Sequence, residues 1–164
     1  MAASLTVLKE SGGETRVSAT PETVKKMTSL GIKVTVEAGA GAASGFEDAA
    51  YRQAGAAVTK SMAAVLKKSD VVLGVRAPTA SQVKAMKSGA VLIASLNPYQ
   101  NTPGVKSYAA AKIQAMAMEL MPRITRAQSM DILSSQSNLA GYKAVLDATA
   151  EYGRALPMMM TAAG

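Results

Sequence analysis

Short apolar runs alternate with amphipathic stretches from Ser4 to Met118, and this alternation constrains the fold more than any other feature of the sequence. The apolar runs have the length of buried strands, and the stretches between them begin and end with the signals of short helices. Strands separated by helices predict an α/β fold with a parallel, doubly wound sheet and helices on both faces. We expect a flavodoxin-like sheet followed by a long C-terminal connector helix.

The element boundaries follow from caps, glycines and periodicity. Thr20, Pro21 and Glu22 form the start of a helix, and Gly31 ends it. From Ile132 to Leu156 apolar residues recur at helical spacing, and Pro157 ends the pattern. The predicted strands are Ser4–Lys9, Ile32–Glu37, Ala56–Thr59, Asp70–Val75, Ala90–Ser95 and Lys112–Met118, and the other helices are Glu47–Ala54, Ser61–Lys68, Thr79–Lys87 and Thr102–Ala111.

Ligands of parallel α/β sheets bind at the carboxyl ends of the strands. Five loops are predicted at that edge, and functional residues are expected there. These loops are Gly12–Arg16, Ala38–Phe46, Arg76–Pro78, Leu96–Thr102 and Glu119–Gln128.

Composition excludes several classes of protein. No apolar run approaches the roughly 18–20 residues that cross a bilayer, and the N-terminus lacks a secretory signal. The absence of cysteine fits a reducing compartment, so we expect a soluble cytoplasmic domain without direct membrane insertion. The net charge of +7 is spread over scattered lysines, with only five Tyr and one Phe to stack on bases, which argues against a nucleic-acid partner.

The sequence contains no histidine and no cysteine, which removes the commonest acid/base group and makes a transition-metal site improbable. Ser134, Ser135 and Ser137 have no base to activate them as nucleophiles. The glycines of Gly39–Gly45 lack the spacing of a dinucleotide-binding fingerprint, and the segment is interpreted as a flexible loop after the second strand. The Met158–Met160 run is interpreted as packing at an interdomain seam.

A polar group remains after the sixth strand: Arg123, Arg126, Gln128 and Asp131. Arginine offers a rigid donor fork for anions, and the amide of glutamine matches a carboxamide. These residues are either a binding loop or an ordinary polar loop with an Arg–Asp ion pair. Arg16 is likewise either an anion contact or a surface charge.

Two regions of the chain resemble the family that joins alanine dehydrogenase and proton-translocating NAD(P) transhydrogenase. Residues 14–56 resemble the start of that family, in the segment ETRVSATPETVKKMTSLGIKVTVEAGAGAASGFEDAAYRQAGA. Three later segments resemble the transhydrogenase branch in particular: MPRITRAQSMD (residues 121–131), SSQSNLAGYKAVLDA and PMMMTAAG.

The resemblance implies an N-terminal domain over residues 1–131 and a connector helix over 132–164, which leads in the family to a Rossmann domain after Gly164. It further implies that Arg123, Gln128 and Asp131 are catalytic residues. These three and the nearby Ser134 are the implied cofactor-binding residues, which hold the nicotinamide of NAD(H). The NAD(H) site would be incomplete within this chain, and NADP(H) would bind to a partner component. The implied partners are the NADP(H)-binding and membrane components, with a homodimer at the cytoplasmic face of the inner membrane.

Two alternative functions are an alanine dehydrogenase-like oxidoreductase and a non-catalytic module. Alanine dehydrogenases use a lysine after the fourth strand and a histidine after the fifth, where this sequence has Val75-Arg76-Ala77-Pro78 and Leu96-Asn97-Pro98. An oxidoreductase of that kind would also need a keto-acid site, for which Arg16 and Arg76 are poorly suited. The chain could instead be a non-catalytic assembly or regulatory module derived from the same domain.

Overall fold

Strand β1 (Ser4–Val7) lies inside a six-stranded parallel sheet in this computed structural model, which describes residues 2–154. Every ladder of the sheet is parallel. The predicted doubly wound parallel sheet is therefore confirmed. The other strands are β2 (Lys33–Glu37), β3 (Ala57–Thr59), β4 (Val71–Arg76), β5 (Val91–Ser95) and β6 (Gln114–Ala117).

The strand order is β3-β2-β1-β4-β5-β6. This is the order of the dinucleotide-binding doubly wound fold, whereas the flavodoxin-like order would place β3 on the other side of β1. Here β3 pairs with the outer side of β2, so the first three strands run outward in one direction and the last three in the other. The change of direction falls between β1 and β4.

Helices α1 (Pro21–Ser29) and α2 (Asp48–Gln53) belong to one face of the sheet. Val24 and Tyr51 of these helices share a buried cluster with Leu5, Val7 and Val36. A second cluster, on the other half of the sheet, contains Leu66, Val72, Val83, Leu92 and Tyr108. It is formed with α3 (Met62–Leu66), α4 (Ala80–Ala85) and α5 (Thr102–Ala110).

The local signals for helix starts work as expected. Thr20 caps α1 by accepting a hydrogen bond from the backbone N–H of Thr23, and Pro21 occupies the first turn. Thr79 and Gln82 form a reciprocal capping box at the start of α4. Most predicted boundaries therefore lie within one or two residues of the observed ones.

The predicted long helix is α6 (Ile132–Glu151). It ends before the predicted Leu156, because Tyr152 has an extended backbone and Gly153 follows. Pro157 and the Met158–Met160 run lie outside the described residues. Among the described residues, 2–120 form one compact unit and 121–154 belong to a second. The predicted boundary after Asp131 stays a prediction.

The glycine-containing segment after β2 has a structural explanation. It forms a short 3-10 helix (Ala42–Ser44) instead of an open loop, and the backbone N–H of Gly39 donates to Asp48 Oδ1 at 2.8 Å. Gly41 lies against the ring of Tyr51, which is fully buried and donates its hydroxyl to the carbonyl of Ala19 at 2.9 Å. A Cβ at Gly41 would lie 2.7 Å from the Tyr51 ring, so only glycine fits there.

We expect Gly41→Ala to lower the free energy of unfolding by about 1–3 kcal/mol, because the added methyl overpacks a ring that its hydroxyl bond holds in place. Urea unfolding of the chain, followed by circular dichroism, measures this change. Gly141 is the matched control: it lies inside α6 with open space around its Cα, so Gly141→Ala should stabilise by about 0.5–1 kcal/mol. Equal effects at both positions would contradict the packing explanation.

Candidate functional site

The five predicted loops follow β1, β2, β4, β5 and β6. Because all six strands are parallel, the loops after β1, β2, β4 and β5 share the carboxyl edge of the sheet as predicted, and the segment after β6 begins there. The loops after β1 and β4 flank the point where the strand order changes direction. A crevice opens at such a point because the adjoining connections run to opposite faces of the sheet.

An internal carboxylate joins those two loops. Glu14 accepts from Arg16 Nε and NH2 at 2.8 Å each and from Arg76 Nε at 2.9 Å. Its side chain is only 5% exposed, and the hydrogen bonds from Arg16, followed by that from Arg76, hold the pKa of Glu14 far below its usual value. Arg16, predicted as an anion contact or a surface charge, therefore binds an anion of the chain itself.

Three further carboxylates bind backbone N–H groups at the same edge. Glu10 accepts from the N–H of Val75 at 2.6 Å and from that of Arg76 at 3.2 Å. Glu119 bridges two consecutive N–H groups after β5 in the same way, and Glu37 accepts from the N–H of Lys9 at 2.9 Å. The roles of these three acids were not predicted from the sequence. The signal was present, since each acid lies at or just after the carboxyl end of a strand.

A cleft of about 370 Å³ opens between the loops after β4 and β5. Arg76, at the end of β4, and Asn97, after β5, line it. Their side chains supply a guanidinium and an amide. The lowered pKa of Glu14 keeps that neighbouring carboxylate ionised. The remaining lining residues are Arg16, Val75, Ala77, Ser95, Leu96 and Asn101.

The predicted binding loop lies in the second unit. Arg123 precedes a 3-10 helix (Thr125–Met130) that contains Gln128, and both side chains are exposed. Within residues 2–154, neither side chain forms a hydrogen bond or an ion pair. The alternative of an Arg–Asp ion pair is therefore not observed among these residues.

Asp131 and Ser134 are brought together at the start of α6. Asp131 Oδ1 accepts from the N–H groups of Leu133 at 2.9 Å and Ser134 at 3.1 Å, and the Ser134 hydroxyl donates to Oδ2 at 2.6 Å. The bond from the Ser134 hydroxyl, then that from its N–H, lowers the pKa of Asp131, and the more distant charge of Arg123 adds to this effect. Asp131 is thus an ionised helix cap that fixes the end of the loop.

Residues 2–154 contain neither a metal-binding cluster nor a membrane-spanning helix. No cluster of acidic side chains there could hold a metal ion. No helix in the same range is long and apolar enough to cross a membrane.

The sequence profile of the family described as alanine dehydrogenase/PNT, N-terminal domain, matches residues 6–140. The chain belongs to this family. It is 52% identical over 157 residues to an NAD(P) transhydrogenase subunit alpha protein of Rhodospirillum rubrum, a match covering 93% of this chain and 41% of that protein. The chain thus corresponds to an N-terminal domain and spans less than half the length of this relative.

Solved structures give the same grouping. The crystal structure of transhydrogenase from Sinorhizobium meliloti is 55% identical, with a TM-score of 0.86 over 98% of this chain and 48% of that one. An L-alanine dehydrogenase structure is 27% identical, with a TM-score of 0.66 over 71% of this chain and 32% of that one. Both the identity and the coverage favour the transhydrogenase branch.

Glu14 predicts a specific response to acid. Its pKa is lowered on folding, so its contribution to stability is complete above its usual pKa of about 4.5 and is lost as the pH falls below that value. Glu14→Gln should cost about 1–3 kcal/mol at neutral pH and should flatten the loss of stability below pH 4.5. Urea unfolding at a series of pH values measures both effects.

The control is Glu47→Gln. Glu47 is exposed and has no ion pair among the residues that the structure describes. Its replacement should change stability by less than about 0.5 kcal/mol. The free energy of unfolding of Glu14→Gln could instead fall below pH 4.5 as steeply as that of the unmodified chain. That result would refute the role given to Glu14 and its two arginines.

Proposed function

We propose that this chain is part of the NAD(H)-binding component of a proton-translocating NAD(P) transhydrogenase, where it supplies the loop that faces the nicotinamide. The observation that carries the proposal is the loop from Arg123 to Asp131. Arg123 and Gln128 are exposed there and form no hydrogen bond or ion pair within residues 2–154. The chain that contains this loop is 52% identical to a transhydrogenase subunit. Residues 1–131 would form the nicotinamide-facing domain, and residues 132–164 would lead into an NAD-binding domain.

The donor groups of the loop suit this ligand. A carboxamide needs both a donor and an acceptor, and the Gln128 side chain provides both without an internal partner to displace. The Arg123 guanidinium can donate to a carboxamide or phosphate oxygen from a rigid plane. In this proposal, Arg123 and Gln128 hold and orient NAD(H), while Asp131 and Ser134 keep the loop in one conformation.

The role of the loop is positioning. When bound, the nicotinamide supplies the carbon that donates a hydride to NADP⁺. Direct transfer between two such rings requires no protein acid or base, which agrees with a chain that has no histidine. Hydride transfer does require a near-attack geometry, and a loop anchored by the Asp131 cap reduces the freedom that must be lost to reach it.

The cleft between β4 and β5 weighs against alanine dehydrogenase-like activity. That chemistry needs a group that exchanges a proton during reduction of a keto acid. Arg76 and Asn97 offer a guanidinium and an amide in its place. Arg16 and Arg76 both hold the pKa of Glu14 below its usual value, which keeps that carboxylate ionised. The transhydrogenase proposal requires nothing from these residues.

The proposed partners are the NADP(H)-binding and membrane components of the enzyme, with this component peripheral to the inner membrane on the cytoplasmic side. We also propose a homodimer. Helix α6 exposes a row of apolar side chains that water disfavours, and a second copy could cover them. These side chains are Leu139, Tyr142, Val145 and Leu146, each between 46% and 67% exposed.

A chimera tests the proposed function directly. This chain would replace the matching segment of the Rhodospirillum rubrum subunit, and hydride transfer from NADH to NADP⁺ would be measured with the other components added. We expect an active chimera in which Gln128→Asn lowers kcat about 10- to 100-fold, since a shorter amide misplaces the ring by an ångström or more.

Ser129→Ala is the matched control, because Ser129 is exposed in the same 3-10 helix and should tolerate the change with activity within about twofold. An inactive chimera with both segments folded would refute the proposal. An active chimera that is indifferent to Gln128→Asn would favour the non-catalytic assembly module.

A further inference from the structure

Glu119 occupies a distinctive place in the chain. It lies in a short 3-10 helix (Met118–Leu120) that follows β6, only two residues before the second unit begins at Met121. Its carboxylate accepts from the N–H of Leu96 at 3.2 Å through Oε2 and from the N–H of Asn97 through Oε1. Two charge-assisted bonds therefore fasten this point of the chain to the end of β5.

The partner backbone is itself constrained. Asn97 has a positive φ of 48°, a left-handed conformation that asparagine tolerates better than most residues. Its carbonyl accepts from the N–H groups of Gln100 and Asn101, and its side chain donates to Gln100 Oε1. The segment that Glu119 binds is thus a closed turn, and it offers a rigid attachment.

We infer that Glu119 is a positioning residue for the Arg123–Asp131 loop. Its carboxylate fixes the point from which the chain leaves β6 and enters the loop, as the Asp131 cap fixes the point at which the loop enters α6. Arg123 and Gln128 lie between these two attachment points of the chain. This role goes beyond the proposed function and rests on it, since positioning matters only if the loop holds a ligand.

The chain provides a matched control in Glu10. Glu10 makes the same bidentate contact to two consecutive N–H groups, those of Val75 and Arg76, at the end of the neighbouring strand β4. It is far in sequence from the loop. Glu10→Gln therefore removes an equivalent bridge from the same edge of the sheet without altering the attachment of the loop.

The first test is native-state cleavage by trypsin, with the bonds after Arg123 and Arg126 followed by mass spectrometry. Glu119→Gln keeps the shape of the side chain but loses its charge and one acceptor oxygen. We expect cleavage in the loop to accelerate about tenfold, while Glu10→Gln leaves it within about twofold. If Glu119→Gln fails to fold, Glu119→Asp, which withdraws the charge by one methylene, should give the same acceleration.

The second test uses the chimera with the Rhodospirillum rubrum subunit. Glu119→Gln should lower kcat about tenfold with the KM for NADH within about twofold, because the loop would still bind but would orient the ring less well. Glu10→Gln should leave kcat unchanged. Equal loop cleavage in the two variants, or unchanged cleavage in Glu119→Gln and Glu119→Asp, would overturn the role of Glu119. An inactive unmodified chimera would instead refute the proposed function, and the cleavage result would still decide whether Glu119 anchors the loop.

Discussion

The pairing of β1 with both β2 and β4 is the constraint on which the rest of the structure depends. β1 is the point from which the sheet extends in two directions, so the helices of the two halves cover opposite faces. Leu5 and Val7 are buried with the helices of the first half, whereas Val72 of β4 belongs to the cluster of the second. Both cores, and the crevice at the carboxyl edge, follow from this arrangement.

Carboxylates stabilise that edge in a repeated way. A parallel strand ends with N–H groups that the ladder no longer pairs, and leaving them unsatisfied in a partly buried position is costly. Glu10, Glu37 and Glu119 each satisfy such groups on a neighbouring strand, and Glu14 ties the loops after β1 and β4 through their arginines. These bonds link neighbouring strand ends at the edge where ligands bind in this class of fold.

The two polar regions of the chain differ in how many hydrogen bonds and ion pairs their side chains form. Arg16 and Glu14 form an ion pair with each other, and Arg76 binds the same carboxylate. Arg123 and Gln128 are exposed and form no hydrogen bond or ion pair in the described part of the chain, while Asp131 is fully used as a helix cap. The proposed role of this loop is to position a cofactor, and exposed donor side chains suit that role.

The sequence by itself determined the parallel α/β sheet, the order of its elements and nearly every boundary, because caps, glycines and apolar periodicity act over a few residues. It also brought out the segment from Arg123 to Asp131 by composition and resemblance. The tertiary structure decided which strands are neighbours, and hence the order β3-β2-β1-β4-β5-β6 in place of the flavodoxin-like one. It also decided that Glu14 reaches Arg76, 62 residues away, and that Glu119 reaches Asn97, because such contacts depend on how strands align across the sheet. Local patterns do not encode that alignment.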